Sequence, residues 1–322
     1  MNNIQQQLRK IAKELISEGK VDLLIGFRRS HSTGKAMPCI IRKAEEADYL
    51  IWDNTCANNL AVYLTDLFRK KPVRSGEKPV LPRVAIIAKG CDGLSIAGLI
   101  REKQVQRSNL VIIGVPCTGM VDSRTGELYV SCQLCGHPVA ENADIKLDGE
   151  SLKPVSADYS DIVEFEKKPV EERWKYFVEQ MSKCIRCYAC RQVCPNCYCE
   201  ICFAENTNPK WAGSGAEISE VMFYHLGRLV HQVGRCVGCG ACSRACPAGI
   251  QLHLFTRKIL KDAKELFGFE PGFSGDEKYL FASFSLQDSD EFITDPEKTI
   301  SDKDGKQCVC GDNVSQKKVS EE

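Results

Sequence analysis

The chain has 322 residues, above the usual ceiling for one hydrophobic core, so two domains are expected. Its 43 basic and 43 acidic side chains cancel, and 43% apolar with 27% charged residues excludes a disordered chain, while no apolar run is long enough for a membrane span. The anomaly is 19 cysteines, an odd number, behind an amphipathic N-terminus (MNNIQQQLRKIAKELI) that lacks the apolar core and cleavage site of an export signal. A cytoplasmic protein without a disulfide framework is therefore expected, and metal binding or redox chemistry is the first hypothesis.

Ile4, Leu8, Ile11, Leu15 and Ile16 recur at helical spacing and predict a helix over 4–18, closed by Gly19. VDLLIGF (21–27) reads as a buried strand, followed by two short apolar runs, MPCII (37–41) and DYLIWD (48–53). Leu60, Leu64, Leu67 and Phe68 give one face of a helix over 58–68. RVAIIAKG (83–90) and NLVIIGVP (109–116) are uninterrupted β-branched strands with a helix, GLSIAGLIREKQV, between them. Strand, helix, strand with both strands apolar throughout is the pattern of a parallel sheet covered on both faces. Residues 1–150 are accordingly expected to form an α/β domain with a mainly parallel sheet.

A linker and helix occupy 151–183. The helix, 169–183, opens on Pro169 and carries Val170, Trp174, Phe177, Val178 and Met181 as a stripe expected to pack on a neighbour. Residues 184–268 form a small α+β domain with extra helices at 219–233 and 250–267; the first carries Val221, Met222, Leu226, Leu229, Val230 and Val233. From Phe269 to Glu322 there are 13 acidic and 6 basic residues, an acidic, partly disordered tail. Its aromatics Phe269, Phe273, Tyr279, Phe281 and Phe284 have no periodicity, as expected of chain laid across a surface. Residues 1–268 keep 37 basic and 30 acidic side chains, but no basic cluster interleaved with aromatics, so nucleic acid is not expected as a partner.

Eleven cysteines fall within the 63 residues 184–246. Cys184, Cys187, Cys190 and Cys194 precede Pro195 in the spacing C-x2-C-x2-C-x3-C-P, and Cys236, Cys239, Cys242 and Cys246 precede Pro247 in the same spacing, 52 residues on. Three thiolates on one tight loop can reach three irons of a 4Fe–4S cubane, and the fourth cysteine then ligates the cluster of the other repeat. The expected sets are Cys184, Cys187, Cys190 with Cys246, and Cys236, Cys239, Cys242 with Cys194. Zinc sites usually present two separated C-x2-C pairs instead of four cysteines in one run.

In the N-terminal domain Cys91 and Cys117 each follow a predicted strand, at the carboxyl edge where open α/β sheets bind ligands, and Cys132 and Cys135 form a C-x2-C just downstream. Cys39 has no partner at ligand spacing and reads as a core thiol. Cys197, Cys199 and Cys202 receive no assignment. They could hold a further cluster or a zinc, or be redundant thiols. His225 and His231, six apart, do not share a helix face, and Cys308 and Cys310 lie in the polar tail as unligated thiols.

KCIRCYACRQVCPNC and GRCVGCGACSRACPAGI resemble bacterial-type dicluster ferredoxin modules. Their setting, with EVMFYHLGRLVHQVGRC between them, is similar to iron–sulfur subunits of formate dehydrogenase, hydrogenase and heterodisulfide-reductase-type complexes of anaerobes. RVAIIAKGCDGLSIAGLI and LVIIGVPCTGM make the N-terminal half resemble the coenzyme F-420 hydrogenase/dehydrogenase beta-subunit family. That resemblance implies a third 4Fe–4S cluster, on Cys91, Cys117, Cys132 and Cys135, with Cys56 as the substitute for Cys91. Two departures stand out. The ferredoxin module follows the α/β domain here instead of preceding it, and where relatives carry a glycine-rich, flavin-facing stretch this chain has RRSHSTGKAMPCII.

No G-x-G-x-x-G follows a strand, and no catalytic triad or carboxylate pair stands out. The expected function is an electron-transfer subunit that relays single electrons between a partner's flavin or metal site and a second redox partner. The partners expected are other subunits of a hydrogenase, formate dehydrogenase or heterodisulfide-reductase-like flavoprotein. The alternative is a catalytic beta subunit that binds FAD or another flavin and acts on a soluble hydride carrier.

Overall fold

The computed structural model of the chain describes residues 3–69, 80–155 and 159–282. The apolar runs become strands β1 (Leu23–Arg29), β2 (Ala36–Ile41), β3 (Val84–Ala88), β4 (Leu110–Gly114) and β5 (Ile145–Lys146), in the order β2-β1-β3-β4-β5. β1, β3, β4 and β5 run parallel, and the edge strand β2 folds back antiparallel on β1 with Gly26 opposite Cys39. The sheet is thus mainly parallel, as expected. All five residues of β3 are buried, which is why that segment shows no polar alternation.

Helix α1 (Asn3–Ser17) buries Leu8, Ala12 and Leu15, and Gly19, at φ +63°, turns the chain after it. The run DYLIWD forms no named strand. The Glu46 carboxylate accepts the Arg42 and Lys43 N–H groups and opens a 3-10 turn over Ala44–Tyr49, after which Ile51 donates to Phe27 O at 2.9 Å. Helix α2 (Val62–Phe68) starts four residues later than the apolar pattern suggests, because tertiary bonds claim what precedes it. Asp92 takes the Leu60 N–H, and the Asn59 amide donates to Cys91 O and Ser95 Oγ on helix α3 (Gly90–Arg101).

The cysteine-rich half is made of short helices: α4 (Val130–Gln133) and α5 (Ser160–Glu166) lead to α6 (Val170–Ser182), α7 (Ala189–Gln192), α8 (Ile218–Gln232), α9 (Ala241–Arg244) and α10 (Leu252–Phe267). A second core joins Met181, Val221, Tyr224, Ile250 and Leu252 to the thiols of Cys190 and Cys242. Of the α6 stripe, Met181 is buried while Val170 and Trp174 stay 64% and 57% exposed. On α8 the inward face is Val221, Tyr224, His225, Arg228 and Gln232, and Leu226 and Val230 point outward. Of the apolar residues on this helix Val221 is buried and Met222 packs on the second core, while His225, Arg228 and Gln232 join the inward face because it meets thiols and loop carbonyls, which need donors.

The described residues up to Leu280 belong to one compact unit, so the two halves pack on each other; of the unit beyond, Phe281 and Ala282 are described. Within the first unit the start of the acidic segment lies back across α3. Arg101 pairs with Glu277 and donates to Ser274 O at 3.2 Å, and the Phe273 ring meets His137 edge-on at 5.5 Å. Phe284, Cys308 and Cys310 lie outside the described residues. Among the described residues no helix is long and apolar enough to cross a membrane.

Candidate metal centres

The two cysteine repeats adopt the same backbone. Arg186 and Tyr188 in the first have φ +56° and +58°, and Gly238 and Gly240, at the equivalent positions of the second, both have φ +68°. This left-handed winding turns backbone N–H groups toward sulfur: Arg186 N lies 3.4 Å from Cys184 Sγ and Gly238 N lies 3.4 Å from Cys236 Sγ. Glycine takes this conformation freely, whereas an L residue loses about 1–2 kcal/mol. Arg186 offsets that cost by donating to Glu220 O at 2.9 Å, Gly213 O at 2.8 Å and the Tyr188 hydroxyl at 2.9 Å.

Cys184, Cys187, Cys190 and Cys246 line one cavity of about 20 Å³ with Tyr224 and His225, so the first motif and the last cysteine of the second do meet. Cys246 Sγ accepts Ile250 N at 3.4 Å. Cys236, Cys239 and Cys242 lie within electrostatic reach of Cys194. As free thiols Cys236, Cys239 and Cys242 would stay protonated: burial raises all three, Cys242 up to about 12. Thiolates here need compensating cations or a metal.

Arg228 of α8 is the cation. It is 4% exposed, donates to Cys190 O at 3.1 Å, has an unpartnered Nε, and makes no ion pair with a carboxylate among the described residues. The groups facing its charge are Cys197, Cys194, Cys242 and Cys190. A buried guanidinium without an anion is costly, so this donor set fits an anionic, thiolate-ligated group and fits neutral thiols badly. His225 Nε2 sits 3.4 Å from Cys184 Sγ, and burial, with Arg228 and Arg186 nearby, pushes its pKa down to about 4, leaving it neutral. Among the described residues no three His, Cys, Asp or Glu side chains converge on one single-ion position.

In the α/β half, Cys91 sits in the first turn of α3 directly after β3, Cys117 follows β4, and Cys132 and Cys135 lie in and after α4. All four line one cavity of about 130 Å³. Cys132 Sγ accepts Met120 N at 3.4 Å, and burial raises Cys117 to about 11. Cys239 of the second repeat lines the same cavity. Cys56 is fully buried outside that lining, its thiol pushed up to about 12 by burial. Cys39, raised to about 11 by burial, borders a separate surface cavity with Arg28, Tyr49 and Tyr63.

Gly90 is what lets this cavity close. A Cβ there would stand 1.8 Å from His137 O, so the chain carrying Cys135 could not lie against the start of α3. Gly90→Ala should destabilise the protein by about 1–3 kcal/mol through overpacking. Thermal unfolding measures that loss, and iron content should fall with it; a wild-type melting curve would contradict the close approach.

Four side chains were not singled out from the sequence. Lys89, 2% exposed at the end of β3, places Nζ 2.9 Å from Asp92 Oδ2, 2.9 Å from Asn58 O and 3.3 Å from Cys56 O. Burial opposes its charge, but Asp92 together with Cys91 and Cys117 more than offsets this and holds it above its ordinary pKa. Arg228 and Gln232 face the thiols from α8, and Arg244 ties Cys239 O (2.7 Å) to Ala57 O (2.8 Å) across the two halves. His225, Arg228 and Gln232 recur at helical spacing between the cysteine runs; that polar stripe was the available signal.

Residues 180–250 match the 4Fe-4S dicluster domain family, so this part of the chain is an iron–sulfur-binding domain. Beyond it, the chain is a homologue of the F420-dependent formate dehydrogenase subunit beta of Methanocaldococcus jannaschii, 30% identical over 197 residues, 54% of this chain and 50% of the relative. It is also similar to the F420-dependent formate dehydrogenase 1 subunit beta of Methanococcus maripaludis, 42% identical over 57 residues, 18% of this chain and 14% of that one. The match spans half the length of the first relative and less of the second. The resemblance read from the two cysteine runs and the strand–cysteine segments is thereby borne out.

Proposed function

We propose that the chain is the iron–sulfur electron-transfer subunit of a multi-subunit oxidoreductase of formate dehydrogenase type, acting in the cytoplasm. In this reading Cys184, Cys187, Cys190 and Cys246 hold one 4Fe–4S cluster, Cys236, Cys239, Cys242 and Cys194 a second, and Cys91, Cys117, Cys132 and Cys135 a third. When bound, such clusters exchange single electrons at potentials set by charge, hydrogen bonds to sulfur and exposure. The observation that carries the reading is the shared cavity: Cys239 borders the space ringed by the four N-terminal cysteines, so three thiol sets adjoin in series.

The chain's own residues supply the conditions. Arg228 places one positive charge among Cys190, Cys194 and Cys242, the backbone N–H groups of Arg186, Gly238 and Ile250 point at sulfur, and Arg244 locks the Cys239 loop to the α/β half. Cys187 is exposed at the far end, where a partner subunit can approach.

The test is iron and acid-labile sulfide analysis of the full-length protein, purified without oxygen. The three sets named here account for about 12 irons per chain, and a Cys132→Ser, Cys135→Ser double variant is expected to lose about four. Iron content unchanged in that variant, together with bound flavin, would favour the catalytic, hydride-accepting alternative.

A further inference from the structure

The loop from Val193 to Glu217, between α7 and α8, has 25 residues and no helix or strand. Structureless loops of that length in a compact domain are uncommon and generally serve a function. Within it Cys197, Cys199 and Cys202 fall in six residues, and all three line one cavity of about 30 Å³ with His231 and Arg228. We propose that Cys197, Cys199 and Cys202 hold a further 4Fe–4S cluster, with His231 of α8 at the fourth corner.

Three observations carry this. The first is the donor set: three thiols on one short loop, spaced C-x-C-x2-C, one residue tighter than the C-x2-C-x2-C of each ferredoxin motif, and an imidazole ring can replace cysteine as a ligand of an iron–sulfur centre. The second is charge. Arg191 and Arg235 at the cavity already pair with Glu205 and Glu102, at 2.7 Å and 2.8 Å, whereas buried Arg228 has its Nε unpartnered and turns its charge toward Cys197. An anionic cluster would be its counter-ion on this side of α8.

The third is the support beneath the loop. Gln232 donates to Cys197 Sγ at 3.3 Å and to Asn196 O at 3.3 Å, and the Asn196 amide donates to Arg235 O. The Phe203 ring, next to Cys202, packs edge-on against His231 with centroids 5.0 Å apart. These contacts bring the cysteine loop and the imidazole to one place. Without a ligand, Cys197 would still be explained as a hydrogen-bonded neighbour of Cys194, but an exposed Cys199 would be a reactive thiol with no role.

The experiment measures iron, sulfide and zinc in anaerobically purified full-length protein and in a Cys199→Ser, Cys202→Ser variant. A loss of about four irons and four sulfides per chain is expected, with the spectra of the other clusters retained. His231→Ala should keep the iron but shift the electron paramagnetic resonance signal of one cluster. Unchanged iron, or the loss of one zinc in place of iron, would overturn the proposal. Should the double variant lose all iron by misfolding, the single Cys199→Ser variant decides, since that side chain is exposed: one shifted signal supports the site and an unaltered spectrum removes it. The Cys132→Ser, Cys135→Ser variant reads the N-terminal set separately, so either assignment can fail alone.

Discussion

Asp92→Ala is expected to destabilise the protein by about 3–5 kcal/mol, the scale for removing one partner of a buried ion pair. Asp92 is fully buried, with Oδ2 2.9 Å from Lys89 Nζ and 3.0 Å from Lys89 N, and Oδ1 2.6 Å from Leu60 N. Alanine would leave an ammonium in the interior with carbonyls and the Phe27 and Trp52 rings but no carboxylate beside it, and two backbone N–H groups unpaired. In a protein of this size that corresponds to a fall in melting temperature of about 10 °C. Asp92→Asn, which keeps an acceptor but not the charge, should fall between the two. A Lys89→Met, Asp92→Leu pair should recover part of the loss, because no charge is then left alone. A decrease below about 1 kcal/mol in Asp92→Ala would mean that the pair is dispensable. Since Cys91 lies between the two partners in sequence, the N-terminal thiol set should become disordered along with the pair.

The second large effect is expected of Cys239→Ser. In the proposed ligand sets Cys239 goes with Cys194, within whose electrostatic reach it lies, and it also borders the cavity of the N-terminal cysteines, so one substitution acts at the middle of the series. Serine is a poor iron ligand at neutral pH, and the iron content should fall by about four per chain. Ligation and folding are coupled in a module this small, so the loop tied down by Arg244 should loosen and the melting temperature drop. Electron paramagnetic resonance of the reduced protein should lose the broadening that neighbouring reduced clusters impose on each other. An unchanged spectrum would rule out this ligand set.

Much of the fold was legible because its determinants are local in sequence. β3 and β4 are buried on both faces, so they read as unbroken apolar runs, and a parallel sheet follows. The repeat displaced by 52 residues is equally local: ligand spacing is a property of one loop, and the matching left-handed residues 186, 188, 238 and 240 show that the loop carries its own conformation. Cys91 and Cys117 could be placed at strand ends because a strand end is visible wherever an apolar run stops.

What depended on the tertiary structure is everything in which a distant segment chooses the partner. Lys89 follows an apolar strand and would be assigned to solvent on its residue type, yet the carbonyls of Cys56 and Asn58 and the carboxylate of Asp92 make a buried charge tenable there. α2 begins late because α3 takes the bonds of Asn59 and Leu60. The inward face of α8 is polar because it meets sulfur and loop carbonyls; periodicity registers that a helix has two faces, and not which surface awaits each of them. The placement of Cys239 beside the N-terminal cysteines comes from the packing of the two halves, held by Arg244, because a contact across more than a hundred residues leaves no periodic trace in the chain that makes it.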